Sequence, residues 1–325
     1  MLGYFNRTYS ELQGTWKYYA PLFIIEALFI FMTTIFMLFW IYVINTAQSV
    51  HRNVRFLYTV YYGQYCTQTF FWIIQPISIL LGIIDDTTLA HTKIFKVTNL
   101  FRHIGLTYAF YSLPGFIVER SFATWTVQDY EHNPYPKIGN IIVIVQSCVS
   151  LGFGSHFSIA SNTIPHIFVA LMINSMAVAT NFYIAHINKK YYNTEHLSYS
   201  LSERFQITEN LRSSKMFERI VYSTSFFNVI VNTCMILDNY EYSIKFKNLS
   251  SVLCDFSILI YGFIVPLITG LQQESWMKQV YVLMSRCSSK RITPSTNSFT
   301  QKMEKKTVRK EETTVYFDML NTQWK

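Results

Sequence analysis

Charge is what this chain has least of. Only 14% of its 325 residues are Asp, Glu, Lys or Arg, where a soluble domain carries about a quarter. That shortage excludes an ordinary water-facing globular surface. Cysteine is sparse too: Cys66, Cys148, Cys234, Cys254 and Cys287 show no metal or redox spacing. Four of them fall in apolar stretches, where Cys behaves as a small hydrophobe, and no pair suggests an extracellular disulfide. The eight histidines have no metal-ligand spacing, which speaks against a membrane metalloenzyme. No catalytic cluster is visible, so neither enzyme activity nor a cofactor is expected. The first twenty residues lack the basic-then-apolar pattern of a cleavable signal peptide. The first apolar stretch is expected to serve as its own insertion signal.

Long apolar sequence, by contrast, is abundant. Half the residues are hydrophobic, with 27 Phe and 23 Tyr. Seven stretches stand out, with cores at Pro21–Ile44, Phe56–Ile84, Phe95–Val118, Ile138–Phe153, Ile164–Ile184, Ile220–Leu237 and Leu249–Leu271. About 20 helical residues cross the ~30 Å hydrocarbon core of a bilayer, and in lipid the backbone must bond to itself. The expected fold is therefore an all-α membrane protein, a seven-transmembrane helix bundle. The fourth and fifth boundaries are the least defined, and the fourth span is thin unless it runs on toward Ser155–Thr163. Pro76 and Pro266 lie deep in apolar runs and favour kinks.

The charges that exist are unevenly placed. With the N-terminus outside, inner loops and tail hold 20 of the 27 Lys and Arg, and outer segments hold five. The positive-inside rule then gives an N-terminus outside and a C-terminus inside. The basic charge needs no nucleic-acid partner to explain it. The expected layout is an extracellular N-terminus over 1–20 and a transmembrane domain over 21–271. An amphipathic membrane-surface helix over 272–287 and a disordered cytoplasmic tail over 288–325 follow. In that surface helix Trp276, Met277, Val280, Leu283 and Met284 share a face. Asn6 opens a glycosylation sequon on the outer side, and a second at Asn248 sits at a helix mouth with poor access. Cys287 is placed for palmitoylation, with an unmodified thiol as the alternative.

Two inner-face segments carry the functional signal. The third span ends in Glu119-Arg120, followed by Ala123-Thr124 and then Asp129-Tyr130-Glu131. Arg is always charged and offers five donors in a planar fork. Its neighbouring acid can hold it in one state and release it to a helix or partner in another. The alternative is a solvated salt bridge at a helix end, partly exposed and screened by water. The longest inner loop holds Leu201-Ser202-Glu203-Arg204-Phe205-Gln206, then Glu209, Asn210 and Arg212. Phe205, Glu209 and Arg212 recur at turn spacing, so the segment reads as a cytoplasmic extension of the sixth helix.

Together these stretches resemble the nematode chemoreceptors of serpentine receptor class epsilon (Sre), in the Sra-like group of seven-transmembrane G-protein-coupled receptors. The shared residues are Glu119, Arg120, Ala123, Thr124, Asp129, Tyr130 and Glu131 after the third helix. Before the sixth they are Leu201, Ser202, Arg204, Phe205, Gln206, Glu209, Asn210 and Arg212. One departure is His132-Asn133-Pro134-Tyr135-Pro136, where more basic residues belong. The resemblance implies a chemoreceptor of sensory neurons in the plasma, or ciliary, membrane. It would bind a small chemical cue from outside and activate a cytosolic heterotrimeric G protein. Pairing with a second copy of the receptor stays open.

Ionisable residues at membrane depth are functional candidates by default. Glu26 in the first span and Asp255 in the seventh lie similarly far from their outer ends. Arg102 and His103 precede Arg120 by roughly 26 Å of helix, near the outer surface. These four are the ligand-contact candidates, and snorkelling of Arg102 to headgroups is the plain alternative. His156 and His166 are expected at the outer rim. Competing classes are a seven-span ligand-gated channel, whose N-terminus would lie inside, and a transporter, which would show related halves.

Overall fold

The computed structural model describes residues 5–47, 52–83, 93–126, 136–160, 162–194, 201–240 and 243–288. Among them every regular element is a helix. In chain order these are α1 (Arg7–Leu12), α2 (Trp16–Thr46), α3 (Arg52–Trp72), α4 (Ile74–Leu81) and α5 (Lys93–Trp125). Then come α6 (Pro136–Ile159), α7 (Ile164–Thr194), α8 (Leu201–Asp238), α9 (Ile244–Gln272) and α10 (Glu274–Ser288).

Among the described residues, five helical segments are long and apolar enough to cross a membrane: Trp16–Thr46, Lys137–Ile159, Ile164–Tyr191, Ser213–Leu237 and Ile244–Gln272. Ile24, Leu28, Phe31 and Leu38 of α2 point outward and are exposed. Such a surface suits hydrocarbon and would be an aggregation hazard in water. The expected second and third spans do not pass this test of composition. Packing gives the reason. Along α3 the buried stripe is Val54, Leu57, Tyr58, Tyr61, Tyr62, Tyr65, Gln68, Thr69 and Trp72, at helical spacing but largely polar-tipped. Helix α5 touches α3, α4, α6, α7 and α8. A helix enclosed by protein need not be apolar all round.

The bundle is closed around α5 by α9, which packs on both α2 and α8. A shared core joins Ile30, Trp72, Leu106, Phe157, Ile167, Met235 and Leu259. Helices α5 and α6 approach closely at Gly154, where a Cβ would lie 2.6 Å from the Ile104 Cα.

Several boundaries differ from the hydropathy pattern. The expected second span is two helices broken at Ile73, because Pro76 has no N–H for the Trp72 carbonyl and its ring crowds it. Helix α2 begins at Trp16, ahead of Pro21, so part of the 1–20 segment is already bundle. The stretch expected as the fourth span runs on to Ile159, and α8 carries the one expected as the sixth back to Leu201 as one helix. Pro266 lies inside an unbroken α9. Trp276 is 1% exposed, against Trp40 and Tyr58 at ring distances of 6.3 and 5.5 Å. The start of α10 is thus anchored in the bundle by an indole expected on the membrane surface.

Candidate functional site

Two buried charged clusters lie on α5, one toward each end. The first is built by five helices. Arg102 of α5 donates through Nη1 to Gln75 Oε1 of α4 at 2.7 Å and through Nη2 to Asp255 Oδ1 of α9. Its guanidinium lies over the Trp72 ring, 4.9 Å from the centroid. Glu26 of α2 adjoins Asp255, Arg102 and Trp72. Arg102, Asp255 and Glu26 are 4%, 2% and 1% exposed. The Arg is therefore not snorkelling to headgroups. It is engaged by a carboxylate, an amide and an aromatic face, and it ties α4, α5 and α9 together. The guanidinium pairs with the Asp255 carboxylate, Glu26 lies close enough to feel both charges, and Glu26 Oε2 has no hydrogen-bond partner.

Three of the four outer candidates thus meet, and His103 does not join them. One residue further round the helix, its ring packs on Phe157 of α6 at 5.0 Å. At the ends of α6 and α7, His156 Nδ1 and His166 Nε2 are 2.7 Å apart. A cavity deeper in the bundle, lined by Tyr65, Gln68, Phe110, Asn228 and Tyr261, has a volume of about 20 Å³. That holds a water molecule but not an organic ligand.

The second cluster centres on Arg120. Its Nε and Nη2 donate to Glu119 Oε2 and Oε1 at 2.5 and 2.7 Å. This two-point pairing is the geometry in which a guanidinium binds a carboxylate most strongly. Nη1 donates to Asn210 Oδ1 of α8 at 3.3 Å, and Asn210 Nδ2 donates to the Ala123 carbonyl at 3.4 Å. Asn188 of α7 donates to Thr124 Oγ1 at 3.1 Å. Glu119 and Arg120 are 0% and 2% exposed. The partly exposed, water-screened pair expected at a helix end is therefore replaced by an enclosed one. The reason is packing: α8 extends beyond its apolar stretch Ser213–Leu237 and covers the pair.

Asn210 is 1% exposed, so it faces α5 rather than a cytosolic partner. Arg204, Phe205, Gln206, Glu209 and Arg212 lie along α8, and their side chains are outside the described set. Asp129, Tyr130 and Glu131 lie outside the described residues altogether, as does the tail from 289 onward. Cys287 falls in the last turn of α10. Asn6 caps α1, its Oδ1 accepting from the Tyr9 N–H at 2.6 Å. Asn248 is 1% exposed with its amide engaged by the Asn6 backbone.

Sequence reasoning did not single out Gln75 as a ligand-side residue, nor Trp72, Asn188 or Tyr58. Gln75 had a signal, since a Gln before a Pro in an apolar run is an isolated polar group. The others carry none until the helices are paired.

The family model described as Sre G protein-coupled chemoreceptor matches residues 6–325. Among curated proteins, serpentine receptor class epsilon-13 of Caenorhabditis elegans is 27% identical over 99% of this chain and 95% of its own length. Serpentine receptor class epsilon-8 of the same organism is 29% identical over 88% of this chain and 85% of its own. Since that match covers nearly the whole chain, and membrane-length helices accompany it, the protein belongs to the Sre family, integral membrane chemoreceptors of the G-protein-coupled class.

Proposed function

We propose that the protein carries a chemical signal from the Arg102 cluster, facing outside, to the Arg120 cluster, facing a heterotrimeric G protein. It spans the membrane seven times, with α3–α4 and α5 as the second and third spans. A small molecule reaching Glu26, Arg102 or Asp255 changes how α4, α5 and α9 are tied. Both clusters sit on α5, roughly 27 Å apart along one helix, so a shift of α5 bears on both. On the inner side Arg120 leaves Glu119 and Asn210 and becomes available to the partner. Asp129, Tyr130 and Glu131, with Arg204, Phe205, Gln206, Glu209 and Arg212 along α8, supply the docking surface. The setting is the plasma or ciliary membrane of a sensory neuron, with Asn6 glycosylated and Cys287 acylated.

The observation that supports this most is the two-point Glu119–Arg120 pairing with Asn210 as third partner. It joins the central helix to the helix whose extension carries the second family motif. Such a contact can be held, as here, or released, and a population shift needs two such arrangements.

Orientation is the first requirement of this scheme. An epitope placed before Asn6 should bind antibody on intact cells, and one after Lys325 should bind only after permeabilisation. The opposite pattern would place Arg120 on the outside and remove G-protein coupling as its role.

A further inference from the structure

The segment before α2 is not a free tail. Phe5 is 3% exposed and belongs to an apolar cluster with Phe23, Ile79 and Val252. Its ring meets Phe23 at 4.8 Å and Tyr19 at 4.9 Å, both edge to face. The register of these contacts is informative. Phe23 lies three residues before Glu26 on α2. Ile79 lies four residues after Gln75 on α4, and Val252 three before Asp255 on α9. On each helix the Phe5 contact is thus about one turn, or roughly 5 Å, outward of the residue that builds the Arg102 cluster. By this register Phe5 lies about one helical turn from that cluster on three of its helices.

The rest of the segment holds Phe5 there by polar contacts. Arg7 Nη1 donates to the Ile79 and Leu80 carbonyls at 2.6 and 3.1 Å, at the end of α4 where carbonyls lack helical partners. Its guanidinium also covers Trp16 at 4.6 Å and pairs with Glu11. Gly82 makes room for it twice over. Its φ of +65° ends α4, and a Cβ there would stand 2.8 Å from Arg7 Nη1. Asn248 grips the Asn6 main chain on both sides, accepting its N–H at 2.8 Å and donating to its carbonyl at 3.0 Å.

We propose that residues 5–13 are a displaceable plug, with Phe5 as the stopper and Arg7 and Asn248 as its clasps. The plug closes the outer approach to the Arg102–Asp255 cluster and must leave before a ligand reaches it. This rests on that cluster being the ligand site. The clasp contacts are polar, and those of Arg7 lie at the partly exposed rim, where water can replace them. Phe5 adds the one large apolar contact. That balance suits a segment that opens without unfolding the bundle.

The test needs no ligand. Val252, 5% exposed beneath Phe5, is changed to Cys in the full-length receptor in lipid nanodiscs. Its labelling by a membrane-impermeant maleimide is timed against the same receptor without that Cys. Labelling should be slow with the plug intact and roughly tenfold faster in Arg7→Gln, from loss of charge-assisted hydrogen bonds. Arg7→Lys, which keeps a cation at the α4 carbonyls, should restore most of the slow rate. Phe5→Ala should label at least as fast as Arg7→Gln. Thermal unfolding of all variants checks that the bundle persists. Fast labelling of the intact receptor, or a rate indifferent to Arg7 and Phe5, overturns the plug and leaves the ligand-site reading standing. A ligand response indifferent to Arg102 and Asp255 would instead remove the ligand site, whatever the labelling shows.

Discussion

Replacing Glu119 by Gln should raise basal G-protein activation roughly tenfold at matched surface levels. Arg120→Ala should lower both basal and ligand-driven activation toward background. The signs differ because Glu119 holds the guanidinium and Arg120 delivers it. The size follows from burial. A hydrogen bond to a charged group contributes about 1.5–3 kcal/mol, and Glu119 accepts two from Arg120. An exposed pair would be discounted for screening; this one is 0% and 2% exposed, so the discount does not apply. Gln keeps one acceptor, which places the expectation near the lower end. Removing one member of a buried pair also costs stability, so surface protein should fall in both variants. Second-messenger output per surface receptor separates the two effects. Equal outputs for both variants and the unmodified receptor would make the pair structural only.

The second large effect concerns Arg102. Arg102→Leu leaves Asp255 and Glu26 enclosed without a cation. Breaking a buried pair this way costs about 3–5 kcal/mol, against a total stability of about 5–15 kcal/mol. Surface expression should collapse and the thermal midpoint should drop. A triple variant, Arg102→Leu with Asp255→Leu and Glu26→Gln, should recover most of the expression. Exchanging a whole buried ion cluster for apolar groups is often neutral or stabilising. The recovered receptor should still fail to respond to ligand. A triple variant no better than the single one would mean that the cluster is needed for packing. A triple variant with a full ligand response would take the cluster out of recognition.

These two clusters show what the sequence made legible. Seven apolar stretches, the break at Pro76 and the helical extension through Arg204 follow from periodicity and from proline chemistry, which are local. Charge placement and two motifs marked Glu119, Arg120 and Asn210. Depth was not legible. Whether Arg120 meets water depends on α8 covering it, and whether Arg102 snorkels depends on Gln75 and Asp255 arriving from two other helices. The face of α10 looked amphipathic, yet Trp276 enters the bundle because Trp40 and Tyr58 offer it an aromatic seat. The N-terminal segment was invisible for the same reason. Phe5, Arg7 and Asn248 acquire meaning only once α4 and α9 stand beside α2.

Nucleotide uptake by a purified heterotrimeric G protein tests the coupling scheme most directly. The receptor is placed in lipid nanodiscs with G protein of each major class, and uptake of a non-hydrolysable GTP analogue is timed. For at least one class the unmodified receptor should speed uptake, and Glu119→Gln should speed it further. Arg120→Ala should return it to the rate of G protein alone. Identical rates for all three receptors, with each folded by thermal unfolding, would contradict the role given to the Glu119–Arg120 pair.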